Sequence, residues 1–71
     1  MLVKMRSQTD RLKPLQEKME EYIENGGRLG WLINPEGAEV EIYRPQQAVE
    51  VIAMPAIISG EAVLPGFELQ V

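Results

Sequence analysis

Thr9-Asp10-Arg11-Leu12-Lys13-Pro14-Leu15-Gln16-Glu17-Lys18-Met19-Glu20-Glu21-Tyr22-Ile23-Glu24-Asn25-Gly26-Gly27 is the stretch that decides the fold. Leu12, Leu15, Met19, Tyr22 and Ile23 recur at helical spacing and draw one apolar stripe. Thr9 or Asp10 is the expected N-cap, since their side-chain oxygens accept from the first free amides. Pro14 falls in or near the first turn, where a missing N–H costs least. Asn25-Gly26-Gly27 offers a left-handed C-cap. The pattern predicts one amphipathic helix over about residues 11–25. Lys18 lies three residues after Leu15 and four before Tyr22, so it borders the stripe. Glu17, Glu20, Glu21 and Glu24 point to solvent. Their like-charged pairs four residues apart weaken the helix slightly.

Before the helix, Met1-Leu2-Val3-Lys4-Met5-Arg6 reads as a short strand with Lys4 and Arg6 on one face. After it, Leu29-Gly30-Trp31-Leu32-Ile33 is nearly continuously apolar, the signature of a strand buried on both faces. Asn34-Pro35-Glu36-Gly37 is a strong turn signal. Ala38 to Arg44 then alternates, which places Val40 and Ile42 in the core and Glu39, Glu41 and Tyr43 outside. Val49 to Ile52 is a third strand candidate. Pro55, Gly60 and Pro65-Gly66 interrupt the remainder of the chain, and Phe67, Leu69 and Val71 alternate as a terminal extended segment. A strand–helix–strand unit is normally a right-handed crossover between parallel strands. The fold class is therefore mixed α/β (α+β): strand–helix–strand, then an antiparallel hairpin, with one main helix on a small mixed sheet. The opposite face and at least one edge of that sheet look unfinished.

Seventy-one residues make a single small domain spanning residues 1–71. A domain of this size buries only roughly 60% of its unfolded surface. With no cysteine and no histidine, the chain lacks disulfides, thiolate ligands, the commonest metal ligand and the usual general base. Any metal site must be built from carboxylates and carbonyls, which favours Mg, Mn or Ca over Zn. The net charge of −4 opposes electrostatic capture of nucleic acid. The basic residues nonetheless gather early: Lys4, Arg6, Arg11, Lys13, Lys18 and Arg28, with only Arg44 later. No apolar run approaches the roughly 20 residues of a membrane span. A cytoplasmic setting fits the lack of cysteine.

Taken singly, the residues carry little chemistry. A lysine beside an apolar stripe usually snorkels. The acidic outer helix face reads as a solvated surface. Trp31 reads as core. Glu39 and Glu41 are too isolated from other ligands to mark a metal site. Neither a nucleophile elbow nor a phosphate loop is present.

As a set, the motifs are more specific. Arg6-Ser7-Gln8-Thr9-Asp10-Arg11-Leu12-Lys13, then Lys18, Tyr22, Gly26, Gly30-Trp31-Leu32-Ile33-Asn34-Pro35 and Val40-Glu41-Ile42-Tyr43 resemble the C-terminal half of the Uma-two family. These restriction-endonuclease relatives are abundant in cyanobacteria and have a PD-(D/E)XK nuclease-like fold. Ser59-Gly60-Glu61-Ala62-Val63-Leu64-Pro65-Gly66-Phe67 resembles the family's ending. The resemblance covers essentially the whole chain but less than half of a typical member.

The resemblance implies a partial PD-(D/E)XK core in which acidic residues on two strands would hold Mg²⁺ or Mn²⁺, and a helix lysine would stabilise charge or position water. Lys18 stands at the matching lysine position. Arg6, Arg11 and Lys13 are the candidate nucleic-acid contacts. Two departures matter. The strand that supplies the family's first metal-binding Asp is not in the sequence, and Lys4 stands where a Glu is expected, where it would repel a divalent ion. The expectation is thus a shortened, non-catalytic relative with no confidently assigned cofactor, self-associating as a dimer through an open sheet edge. The alternative is a Mg/Mn-dependent DNA endonuclease whose site a second chain completes. An antitoxin-like regulatory binding module is a weaker third idea.

Overall fold

The computed structural model describes all residues, Met1–Val71. Seven elements succeed one another along the chain: β1 (Leu2–Met5), α1 (Leu12–Glu24), β2 (Gly30–Asn34), β3 (Glu39–Tyr43), β4 (Glu50–Ala53), β5 (Ile57–Ser59) and β6 (Glu68–Gln70). The first four strands form one sheet in the order β1-β2-β3-β4, and β5 and β6 form a separate two-stranded sheet. β1 runs parallel to β2, with Val3 beside Trp31 and Met5 beside Ile33. β2 and β3 pair antiparallel, as do β3 and β4. The crossover and the hairpin thus form as their sequence patterns predict.

The helix starts one residue late and is capped differently from the expectation. Arg11 occupies the N-cap without a side-chain hydrogen bond. Asp10 instead accepts from the Ser7 amide and hydroxyl, at 3.0 and 2.9 Å, and so closes the turn that leads into the helix. Pro14 sits at the third helical position, still among the amides that need no intrahelical acceptor. At the other end the chain closes a full Schellman motif. Gly26 adopts φ +100°, its amide donates to Ile23, and the Gly27 amide donates to Tyr22.

Two apolar clusters sandwich the sheet. Leu15 and Met19 of α1 pack with Leu32 and Tyr43, flanked by Leu2, Leu12 and Ile23. On the other face Leu29, Trp31, Ile33, Val40 and Ile42 pack with Ile58, flanked by Ile52, Met54, Leu69 and Val71. Every residue of β2 is buried, because alternate side chains feed the two clusters. The face expected to be unfinished is therefore covered. The C-terminal strands fold under it, where Phe67 stacks on Trp31 at a centroid distance of 6.1 Å.

A second correction concerns β3. Glu41 and Tyr43, expected to face solvent, are buried, because α1 lies across that face. Val40 and Ile42 are core residues, as expected, but on the opposite side. The edges remain open, as the sequence implied. On β1, Val3 and Met5 are exposed, and on β4 Val51 is exposed.

Candidate functional site

Helical geometry splits the polar residues of α1 between two flanks of its apolar stripe. At 100° per residue, Gln16 and Glu20 lie on one side and Lys18 on the other. Gln16 marks its flank directly: its Nε2 donates to both carboxylate oxygens of Glu41 on β3, at 3.1 and 3.0 Å. Tyr22, next to Lys18 on the wheel, marks the other. A Cβ built on Gly27 would strike its ring, and one built on Gly30 would lie 3.8 Å from it and 3.7 Å from the Leu2 carbonyl. Lys18 is therefore carried on the flank turned towards β1. Its side chain is exposed and forms no ion pair. Beside it lies a shallow hollow of 380 Å³ shared with Glu21, Tyr22 and Asn25.

The other candidate residues are dispersed. Arg6 is half-buried and committed to local structure. Its Nε donates to the Asp10 carbonyl at 3.1 Å, and one terminal nitrogen donates to Asn34 Oδ1 at 3.3 Å and pairs with Glu36 at 3.4 Å. It pins the end of β1 to the β2–β3 turn. Arg11 and Lys13 are exposed and unpaired, but the helical wheel sends Lys13 to the acidic outer side while Arg11 shares the Lys18 flank. Lys4 is exposed on the open edge of β1, and the two-residue strand period puts it on the same sheet face as Leu2, which packs beneath α1.

The carboxylates do not converge. No three acidic side chains come together in a way that could hold a metal ion. Asp10 is held below the usual carboxylate range, first by the Ser7 amide and then by the Ser7 hydroxyl. Glu41 is 4% exposed and accepts from the Tyr43 hydroxyl at 2.7 Å as well as from Gln16. Burial first, and then this bond to Glu41, push the Tyr43 phenol above its ordinary range. Glu61 and Glu50 are both taken by Arg44, at 2.6 and 2.8 Å, and the hydrogen bond to Glu61 is the main cause that raises the guanidinium further. The residues present thus do not fit the Mg²⁺ or Mn²⁺ that the resemblance implies.

Sequence reasoning missed the buried Glu41 and its half-buried partner Gln16. Glu41 hides within an alternating strand. Gln16 is a helix position whose partner lies 25 residues away. The Arg44–Glu61 pair joins elements 17 residues apart with no local signal.

The chain builds a parallel β–α–β unit extended by an antiparallel hairpin, with a helix on one face of the sheet. The comparisons identify this fold as nuclease-like. The family model described as "Uma2: Putative restriction endonuclease" matches residues 1–71, and the chain belongs to that family. A solved structure from Anabaena variabilis, described as a putative nuclease belonging to DUF820, is similar at a TM-score of 0.84 and 26% identity. The similarity covers 96% of this chain and 38% of that one, so the chain spans about two-fifths of the relative's length. No curated protein matches the chain. No helix is long and apolar enough to cross a membrane.

Proposed function

We propose that this chain is a non-catalytic member of the nuclease family that self-associates through the open edge of its sheet. The observation that carries the reading is Lys4. It is exposed on the edge strand, at the position where the family resemblance expects a metal-binding Glu. An ammonium there opposes a divalent cation by direct repulsion. The dispersed carboxylates support the same conclusion, since Glu41, Asp10, Glu36, Glu50 and Glu61 each already have a protein partner. The net charge of −4 also disfavours DNA as a partner.

The alternative is a Mg/Mn-dependent DNA endonuclease whose site is completed by a second chain. Lys18 favours it, being unpaired and on the flank turned to the open edge. A plasmid-nicking assay with Mg²⁺ or Mn²⁺, run alongside Lys18→Ala, separates the two. The expected result is no metal-dependent nicking by either protein. Cleavage that requires metal and disappears in Lys18→Ala would overturn the non-catalytic reading and establish the alternative.

A further inference from the structure

The chain holds two asparagines, Asn25 and Asn34, and the residue after each decides what its side chain can do to the backbone. The side-chain carbonyl carbon of an asparagine lies within reach of the next residue's backbone nitrogen. That nitrogen attacks most readily when it carries a hydrogen and its own residue has no Cβ in the way. Asn25 is exposed and is followed by Gly26, which meets both conditions. Nothing lies within 4 Å of where a Cβ on Gly26 would stand, so the space for a ring is open. Asn34 is followed by Pro35, whose nitrogen has no hydrogen to lose. It is also 3% exposed, and its Oδ1 accepts from Arg6 at 3.3 Å and from the Gly37 amide at 3.4 Å.

We infer that Asn25–Gly26 is a self-modification site, at which water converts Asn25 to aspartate or isoaspartate without an enzyme. The Gly26 nitrogen attacks Asn25 Cγ and gives up its proton. The Cγ–Nδ2 bond breaks, and the amide nitrogen leaves with that proton as ammonia. A cyclic imide remains. Water then opens it at either carbonyl. Attack at Cγ restores the ordinary backbone and leaves an aspartate. Attack at the backbone carbonyl gives isoaspartate, in which the chain runs on through Cβ and Cγ. Water is the single co-reactant, and nothing is oxidised or reduced.

The C-cap of α1 governs when this happens. In the closed turn both reacting groups are engaged. Asn25 Nδ2 donates to the Glu21 carbonyl at 2.9 Å, and the Gly26 amide donates to the Ile23 carbonyl at 3.1 Å. Asn25 has ψ 18°, a rotation that keeps the Gly26 nitrogen close to Asn25's own nitrogen and away from its Cβ. Ring closure therefore waits for the last turn to open, as helix ends do by fraying. Once made, the change is irreversible. A carboxylate at position 25 has no hydrogen for the Glu21 carbonyl, and it adds negative charge at the negative end of the helix dipole. It also enters the hollow that Asn25 shares with Lys18, Glu21 and Tyr22, giving Lys18 a second acidic neighbour. Lys18 lies about two turns back and in solvent, where an ion pair is worth little. The lost cap outweighs it, and the modification loosens the end of α1.

The test holds the folded chain in neutral buffer at physiological temperature, digests it with trypsin beside an unaged sample, and follows the peptide Met19–Arg28 by mass spectrometry with separation of the aspartate and isoaspartate forms. The same peptide, free and too short to hold a helix, is aged alongside. The expected result is conversion at Asn25 to both products, none at Asn34, and a rate in the chain about ten- to a hundredfold below that of the free peptide. Gly27→Ala, which crowds the turn, should bring the rate up towards the peptide's. Asn25→Asp, which needs no ageing, should melt about 4 °C below wild type. An Asn25 still intact after about a hundred half-lives of the peptide, or equal conversion at Asn34, overturns the site. Equal rates in chain and peptide overturn control by the cap. An Asn25→Asp midpoint at or above that of wild type overturns the loosening of α1.

Discussion

Tyr43 shows how one buried residue sets a pH limit. Its hydroxyl donates 2.7 Å to Glu41 beneath the helix, and its phenol titrates above the usual value of 10.0. A group whose folded pKa is raised contributes stability that is complete below the unfolded pKa and lost as pH rises towards the folded one. Stability should therefore fall above about pH 10. Tyr43→Phe should remove that alkaline dependence and cost about 2 kcal/mol at neutral pH, since Glu41 would lose a hydrogen bond to a buried carboxylate. Urea titrations at pH 7 and pH 10.5 check both parts. An unchanged alkaline limb in the variant would contradict the assignment. Asp10 works in the opposite direction: its lowered pKa supplies stability above the unfolded value near 3.8 that is lost on further acidification. Lys18→Ala, by contrast, should change stability by less than about 0.5 kcal/mol, because the side chain is exposed and unpaired. A larger loss in thermal melts would mean that the lysine stem packs on the stripe.

At the scale of elements, the joints between them carry the predictions. The Schellman turn is tight: a Cβ on Gly27 would come within 2.7 Å of the Tyr22 carbonyl oxygen and against its ring. Gly27→Ala should cost about 2 kcal/mol by overpacking, whereas an alanine at an exposed helix position such as Glu24 should not; paired denaturant melts decide. Arg44 links β3's end to both β4 and the loop after β5 through Glu50 and Glu61. Arg44→Ala should cost roughly 1 kcal/mol and raise amide exchange in residues 57–70 more than in α1. The elements themselves were largely legible. The helix, the buried β2 run and the Asn34–Gly37 turn each carry a local signal. What escaped were the partnerships. Glu41 and Tyr43 fit an exposed pattern because alternation cannot tell solvent from a helix with a matching donor, and Gln16 supplies that donor. Residues 57–70 looked irregular because Gly60 and Pro65-Gly66 break them into two three-residue strands, too short to read alone. Lys18's place on the helix was legible from spacing, and the residues that share its hollow, Glu21, Tyr22 and Asn25, come from the same helix and its C-cap.

For the molecule as a whole, β2 is the shared wall, and this determines how the fold is lost. Leu32 belongs to the helix-side cluster. Trp31 and Ile33 belong to the cluster beneath the C-terminal strands. Only 14 of 71 residues are buried, and a domain this small has roughly 4–10 kcal/mol of stability to divide. Neither cluster is large enough to hold β2 without the other, so the two should melt together. Far-UV circular dichroism reports mainly on α1. Fluorescence reports on Trp31, the single tryptophan, which is fully buried against Phe67. The two signals should give coincident denaturant midpoints. Phe67→Ala removes the ring stacked on Trp31, and because Phe67 is itself 45% exposed the loss should be moderate, about 1–2 kcal/mol. In a cooperative fold that loss shifts both midpoints equally, although the mutation lies on the face opposite the helix. If the tryptophan signal moved alone, the C-terminal strands would be a separable flap, and the covered face of the sheet would be a second open surface after all.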